Sequence, residues 1–367
     1  MRILQISSAR HFGGGERHFK DLCQGLHERG HDVFAALRPT NEWQDRLDFL
    51  PSENILHVSI RNSFGVFSAK RIADFLKDNE VEIAHAHVAR DYVPASLACI
   101  LAKNARFILT RHVVFPLKPF NRFALRNLVR AIAVSAGVET SLMKVFPPDK
   151  IARIQNGIDA REWSHSERRS HGEQFRNLHN IPIDAPVIGT VGELTLLKGH
   201  TDFVEASKEI AARFPEARFV VAGVDNSADG KYLRELKRLV RIYELDERYV
   251  WLDWLNDTGP LIAALDIFVS PSHSESFGLA MLEAMSNGTP VVATATDGAR
   301  ELFGGSELLV AINRPDRLAQ RICELISDPM QREHLAADLQ TRAVETFSLQ
   351  QMIDKTQELY RQIAPVR

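Results

Sequence analysis

Several familiar chemistries are missing from this chain of 367 residues. It has three cysteines, Cys23, Cys99 and Cys323, far apart and without a CxxC. That argues against a disulfide framework and a cysteine-ligated zinc cluster, and fits a reducing compartment. The longest apolar run, VPASLACILA at 93–102, stops at Lys103, well short of the roughly 20 residues that a bilayer-spanning helix needs. Met1-Arg2 leads directly into ILQIS, too short for a secretory h-region. The expectation is a cytoplasmic protein that reaches, at most, the inner face of a membrane as a peripheral visitor.

Two nucleotide signatures are also absent. FGGGERH (12–18) has glycine at 13 and 15 but histidine at 18, so the dinucleotide fingerprint GxGxxG is not met and a dehydrogenase is disfavoured. VGELTLLKGH (191–200) does not have the spacing of the phosphate loop GxxxxGK[ST]. Strong net charge is missing as well, at −2 overall, but the balance is uneven. Residues 1–165 carry 23 Lys+Arg against 17 Asp+Glu, and the remainder reverses that sign. A basic first half suits an anionic partner there.

What is present is alternation. RILQIS (2–7), DVFAAL (32–37), NILHVSI (54–60), VEIAHAH (81–87), RFILTRH (106–112) and AIAVSA (131–136) read as buried strands with amphipathic helical segments between them. VIGTVGE (187–193), RFVVAG (218–223), YVWLDW (249–254), IFVSPS (267–272) and PVVATA (290–295) repeat the plan. The expected fold is α/β: two Rossmann-like domains, each a parallel sheet covered on both faces. The polar stretch HSERRSHGEQFRNLHN puts the boundary near 160–183, and FSLQQMIDKTQELYRQIA (347–364) reads as an amphipathic helix with Ser348 as its N-cap.

Chemistry concentrates where strands give way to helices. In FGGGERH, Gly13 and Gly14 let backbone approach a ligand, and the helix start offers N–H groups to an anion; a tight turn without a ligand is the alternative. Lys198, after a strand and before Gly199, can reach a phosphate as a point charge, or can be a solvated lysine. In SESFGLAMLE (274–283), Ser276, Phe277, Gly278 and Leu279 stand at a helix N-terminus that favours a diphosphate. Carboxylates beside a diphosphate would repel it, so Glu275 and Glu283, up to about 12 Å apart, suit sugar hydroxyls; a plain acidic helix start is the rival. His112 closes a strand at the edge where open α/β sheets bind ligands, where it suits a donor hydroxyl or the acceptor; a structural loop histidine is the alternative. His87 is read as facing the cleft and His85 as structural. Lys118, Arg122, Arg126 and Arg130 recur every fourth residue, which on one helix makes a basic stripe for anionic lipid or acceptor, or simply a solvated face.

Taken together these segments resemble the retaining glycosyltransferases of family four, which have the GT-B fold. Glu275 and Glu283 around Phe-Gly-Leu match the family's glutamate–seven–glutamate motif. GGGER (13–17), AIAVSAGV (131–138), QNGID (155–159), Lys198-Gly199 and DGARE (297–301) match its other segments. One departure is Glu193, which follows Gly192 where the family usually has arginine; Arg300 and Arg111 are candidates to supply that charge. The resemblance implies domains at 1–163 (acceptor) and 164–346 (nucleotide sugar), facing each other across a cleft, with 347–367 returning to the first.

It further implies transfer of a hexose-type sugar from a nucleotide-diphosphate donor, a UDP-sugar foremost, to a glycan or lipid-linked acceptor of surface polysaccharide or lipopolysaccharide. No cofactor and no metal are implied. Glu275 would hold donor hydroxyls, Glu283 and the 276–279 amides ribose and phosphates, Lys198 and Gly192 the phosphates. Gly13 and Gly14 would lie by the phosphate or acceptor, and His112 by the reacting sugar. The rivals are an epimerase of the same fold and a non-catalytic sugar-nucleotide binder.

Overall fold

The computed structural model describes residues 1–60, 65–159, 163–305 and 308–364. Residues 160–162 of the expected boundary and the last three of the C-terminal segment lie outside them. Within the described residues the alternation of apolar runs and amphipathic helices builds two all-parallel sheets. In the first, β1 (Arg2–Ser7), β2 (Asp32–Leu37), β3 (Ile55–His57), β4 (Ile83–Ala86), β5 (Arg106–Arg111), β6 (Leu128–Ala133) and β7 (Ile151–Arg153) run in the order β3-β2-β1-β4-β5-β6-β7. In the second, β8 (Val187–Val191), β9 (Arg218–Ala222), β10 (Tyr249–Leu252), β11 (Ile267–Ser270) and β12 (Val291–Ala293) run β10-β9-β8-β11-β12. Strand β7, three residues long, is too short for a periodic signal and was not expected. Strand β6 starts at Leu128, earlier than expected, and ends at Ala133, because Ser135 leaves the strand to cap the next helix, accepting from the Val138 amide at 3.4 Å.

The chain forms two compact units, Met1–Gly157 with Leu349–Arg367, and Ile158–Ser348. In the first, helix Gly14–Glu28 lays Phe19, Leu22, Cys23 and Leu26 into a core shared with Ile3, Val33, Ile83 and Ile108 from the sheet. The C-terminal helix Leu349–Ile363 packs into the same core through Met352, Ile353, Leu359 and Tyr360. Its approach needs a glycine: a Cβ on Gly25 would sit 2.2 Å from Ile353 Cδ1. In the second unit the polar stretch at 165–178 is a helix, opened by a capping box in which Ser164 accepts from the Glu167 amide at 3.3 Å while Glu167 accepts from the Ser164 amide at 2.8 Å. Gly172 lets it lie against the backbone of Ala263.

The basic stripe does not form. Pro119 keeps Lys118 out of a helix, the helical turn covers only Asn121–Ala124, and Arg130 lies in strand β6, opposite Ile108. The fourfold spacing of Lys118, Arg122, Arg126 and Arg130 therefore never becomes one helix face. Among the described residues no helix is long and apolar enough to cross a membrane.

Ile353 is the residue of the last helix that meets Gly25. Ile353→Ala is expected to destabilise the first unit by about 2–4 kcal/mol, the cost of a cavity in a tight core. A urea titration followed by far-UV circular dichroism measures it, and a loss below about 0.5 kcal/mol, the size of an ordinary surface substitution, would mean that the helix is not part of that core.

Candidate functional site

Both sheets are doubly wound, and each has one point where the strand order reverses: between β1 and β4, and between β8 and β11. Loops leaving the carboxyl ends of adjacent strands diverge there and open a crevice. The loops after β1, β4 and β5 carry the glycine segment, His87 and His112. The loops after β8 and β11 carry Lys198 and Glu275.

In the second unit those two loops are joined through the backbone. The His273 amide donates to the Leu197 carbonyl at 2.8 Å. Gly199 is left-handed (φ +66), and a Cβ there would fall 2.0 Å from the Pro271 carbonyl. Lys198 is carried over Gly192, whose own carbonyl fits against Gly223. The result is a direct ion pair: Lys198 Nζ donates to Glu275 Oε2 at 2.5 Å, with the side chains 33% and 16% exposed. Beside it His273 Nε2 meets Asp202 Oδ2 at 2.9 Å.

The turn that follows opens helix Leu279–Ser286, capped by Gly278 at φ +97, where a side chain would be strained and would collide with Met281. The first helical amide to find an intrahelical partner is that of Leu282, bonded to the Gly278 carbonyl at 3.0 Å. Ser276 and Leu279 are partly exposed. The Phe277 side chain is not available to a ligand: it is 2% exposed and packs edge-on against Phe347, so only its backbone faces the turn. The turn is braced from behind, since Gly298 donates to the Glu275 carbonyl at 2.9 Å and a Cβ on Gly298 would strike Phe277. Glu283 is buried on the same helix and accepts from Thr258 Oγ1 at 2.8 Å. Glu193 is exposed and accepts from Asn226 Nδ2 at 3.0 Å. Of the two arginines that might replace the missing charge, Arg300 belongs to this unit and donates to the Ala295 carbonyl at 2.5 Å. Arg111 belongs to the first unit, where it is buried and donates to the Phe115 carbonyl at 2.5 Å.

In the first unit Gly13, in an extended conformation, caps helix Gly14–Glu28, and the His112 ring lies over the first turn beside Gly15. His112 belongs to a chain of hydrogen bonds whose donors run in one sense. The Gln5 amide donates to Tyr360 Oη at 3.0 Å, so its oxygen faces His87 Nε2 at 2.8 Å and makes that nitrogen the donor. His87 Nδ1 is then an acceptor, and His112 Nε2, 3.3 Å away, carries the proton. On the other arm Tyr360 Oη donates to His85 Nδ1 at 2.6 Å, and His85 Nε2 donates to Thr110 Oγ1 at 2.7 Å. His112 is thereby held as the Nε2–H tautomer, with Nδ1 as its lone-pair atom. Burial pushes His85, His87 and His112 well below the ordinary imidazole range and lowers His18 to about 4, despite a neighbouring Asn156 that raises it.

Around this chain Ser8 Oγ, both nitrogens of His18, Asp91 Oδ1 and Asn156 Oδ1 are buried and, among the described residues, make no hydrogen bond of good geometry, although Asn156 acts on His18 and Ser8 on Asp91. All stand just past strand ends or on the first turns of the helix after β1. Poorly satisfied buried polar groups are costly, and a crevice lined by them suits a polar ligand. His18, His87 and His112 also bring three nitrogens within 4.8 Å of one another, close enough to share a metal ion. Three neutral imidazoles suit zinc or copper, not the oxygen-seeking magnesium of diphosphate chemistry. The hydrogen-bond chain spends the lone pair of His87 Nδ1 and protonates His112 Nε2, so a metal would have to break it.

Gly13 and Gly14 thus lie at the reversal point of the first sheet, and Gly192, Lys198, Glu275 and Ser276 to Leu279 at that of the second; His112 follows β5, one strand from the reversal, and Glu283 is buried within the helix that the 276–279 turn opens. Sequence reasoning missed Gln5, Tyr360 and His18. Gln5 alternates with Leu4 and Ile6 as a polar residue inside a buried strand, which is a readable signal; Tyr360 reads as one more apolar residue of an amphipathic helix.

Comparison with known proteins gives the family and the fold. The family described as Glycosyltransferase Family 4 matches residues 12–162, and Glycosyl transferases group 1 matches residues 172–342. The chain is 26% identical to the lipopolysaccharide core biosynthesis glycosyltransferase LpsE of Rhizobium meliloti, over 93% of this chain and 94% of that one. It is 25% identical to an Escherichia coli UDP-Gal:α-D-GlcNAc-diphosphoundecaprenol α-1,3-galactosyltransferase, over 78% and 76%. Among solved structures, Anabaena HepE in complex with UDP-glucose superposes with a TM-score of 0.86 at 21% identity, covering 99% of this chain and 100% of that one. That likeness is one of fold, two Rossmann-like domains of the GT-B type. The chain belongs to glycosyltransferase family 4 and is a glycosyltransferase.

Proposed function

We propose that this enzyme transfers a hexose-type sugar, with retention, from a UDP-sugar to a glycan or lipid-linked acceptor of a surface polysaccharide or lipopolysaccharide. The observation that carries this is the Lys198–Glu275 pair held at the reversal point of the second sheet, beside a glycine-capped helix start. In the free protein each ion neutralises the other. An arriving diphosphate offers Lys198 a doubly charged partner. Glu275 is released to accept from donor hydroxyls, while the 276–279 amides meet the phosphates and Glu283 the ribose. Charge that develops on the leaving diphosphate is then met by one lysine, Gly192 and backbone dipoles already in place, and no metal is needed. Uridine is supported by the galactosyltransferase relative, whose name specifies UDP-Gal, and by HepE, solved with UDP-glucose.

The first unit supplies the acceptor side. Gly13 and Gly14 admit a close approach, and His112 presents the unprotonated Nδ1 to a hydroxyl of the sugar. Tyr360 and Gln5 act on it only by fixing its tautomer. With Glu193 engaged by Asn226, the positive charge rests on Lys198.

Lys198→Ala is expected to weaken UDP and UDP-sugar alike by tenfold or more, whereas Glu275→Gln leaves UDP affinity within about threefold, no more than a modest hydrogen-bond change, and abolishes most transfer. Calorimetric titration and a product assay, each repeated with a chelator, read this; unchanged UDP affinity in Lys198→Ala would sink the phosphate role. For the tautomer, Tyr360→Phe should lower kcat more than it raises KM and should shift the His112 ring nitrogens in 15N spectra. Normal kcat with an unmoved spectrum contradicts the relay.

The buried neutral histidines also set the acid limit. The folded pKa of His18 and of His200 lies near 4 against 6.5 when unfolded. Between those values the unfolded chain binds protons that the folded one refuses, so stability is complete above about 6.5 and falls as pH drops towards 4, by about 1.4 kcal/mol per pH unit per group. Asp91, raised to about 7 by burial, works the other way but is one group against several. Melting midpoints should therefore fall between pH 7 and pH 5, and less so in His200→Gln; a flat profile refutes this.

A further inference from the structure

The histidines of the first unit have a second property besides the proton chain. His18 comes from the start of helix Gly14–Glu28, and His87 and His112 come from just past β4 and β5. One nitrogen of each lies within 4.8 Å of the other two. The ring centroids are 4.8 Å apart for His18 and His112, and 5.6 Å apart for His87 with either of them. An ion about 2.0–2.1 Å from three imidazole nitrogens in a tetrahedral array sets those nitrogens about 3.4 Å apart and the ring centroids about 5 Å apart. His87 Nδ1 and His112 Nε2 are 3.3 Å apart. The three rings therefore already surround the volume that one ion takes.

Their surroundings fix the rings before any ion arrives. Phe19 packs edge-on against His87 with centroids 5.1 Å apart, and the His87 amide donates to the Ile6 carbonyl at 3.0 Å. His87 Nε2 donates to Gln5 Oε1 at 2.8 Å, the kind of outer bond that orients an imidazole ligand and strengthens its other nitrogen. Burial keeps all three rings neutral, so at pH 7 no imidazolium has to lose a proton before its lone pair meets a metal. His18 makes no hydrogen bond of good geometry at either nitrogen among the described residues, although Asn156 acts on it. His112 is the least buried of the three and gives an ion its way in. One bond stands in the way, from His112 Nε2–H to His87 Nδ1, and it is the longest link of the chain. Moving the His112 proton from Nε2 to Nδ1 frees both lone pairs and leaves the other links as they are.

We propose that His18, His87 and His112 bind one Zn2+ and that the ion blocks the acceptor side of the first unit. Three imidazoles with an open fourth position are a donor set that zinc takes, and one that magnesium and calcium, which seek oxygen, do not. In the bound form His112 turns Nε2 to the metal and carries its proton on Nδ1. The Nδ1 lone pair that meets a sugar hydroxyl is then gone, so zinc and the productive tautomer exclude each other. The three rings keep the same number of protons throughout; the His112 proton changes nitrogen, and the ion gives up water for the imidazoles. Zinc binding stands apart from the sugar-transfer reading, while its effect on transfer rests on the role that reading gives to His112.

The test is calorimetric titration of the full chain with Zn2+ in the absence of any donor. The expected result is one equivalent per chain, and no comparable binding of Mg2+. His18→Asn and, separately, His87→Asn should weaken it by about a hundredfold or more, and Gln5→Leu, which keeps all three ligands, by about ten- to a hundredfold, the usual effect of losing an outer bond. Two readouts use the unaltered chain: Co2+ in place of Zn2+ should give the intense visible bands of a tetrahedral ion, and 15N spectra should show the His112 proton moving from Nε2 to Nδ1. Zn2+ should then lower transfer, a chelator should restore it, and UDP affinity should be the same with and without the metal. Absence of binding, wild-type zinc affinity in both histidine variants, or an octahedral cobalt spectrum overturns the site. Zinc bound at the three rings with undiminished transfer overturns the block, and with it the role given to His112.

Discussion

The second unit is organised around one ion pair. Lys198 and Glu275 are 77 positions apart in the chain and are brought together because the loops after β8 and β11 leave the sheet at its point of reversal. The backbone bond from His273 to Leu197 and the close fit of Gly199 on Pro271 hold them there. A partly buried pair of this kind adds little to stability, since Coulomb attraction and desolvation nearly cancel. Its value lies in position. The lysine is kept extended towards the crevice, and its counter-ion is a group that a sugar can take over.

The first unit solves a related problem without charge. Its crevice is lined by histidines that burial keeps neutral, and neutrality alone does not say which nitrogen is the acceptor. The chain from Thr110 through His85, Tyr360, Gln5 and His87 to His112 answers that, and it passes through a helix drawn from the end of the sequence. The C-terminal helix therefore does more than fill a core: the buried hydroxyl of Tyr360 sets the state of a histidine just past strand β5.

Much of this was legible in the residues. Runs such as RILQIS and DVFAAL are strands to the residue, because a fully buried parallel strand leaves an uninterrupted apolar signature. SESFGLAMLE was legible as a loop leading into a helix, since Gly278 needs its freedom at φ +97. That Glu275 would meet Lys198 was not, because a contact made by two loops leaves no periodic trace. Tyr360 was hidden for the same reason, 275 positions from His85. The stripe at 118–130 misled because fourfold spacing implies a helix face only where the backbone can be helical, and Pro116, Pro119 and the start of strand β6 at Leu128 forbid it.

The central claim is that the crevice beside Lys198 and Glu275 receives the nucleotide diphosphate. Hydrogen–deuterium exchange with and without saturating UDP tests it most directly, because it reads the backbone of both loops at once. The account predicts slowed exchange at 192–199 and at 274–280, strongest at the amides that open the helix after Gly278. Saturation that leaves both segments unchanged while protecting amides elsewhere would contradict it.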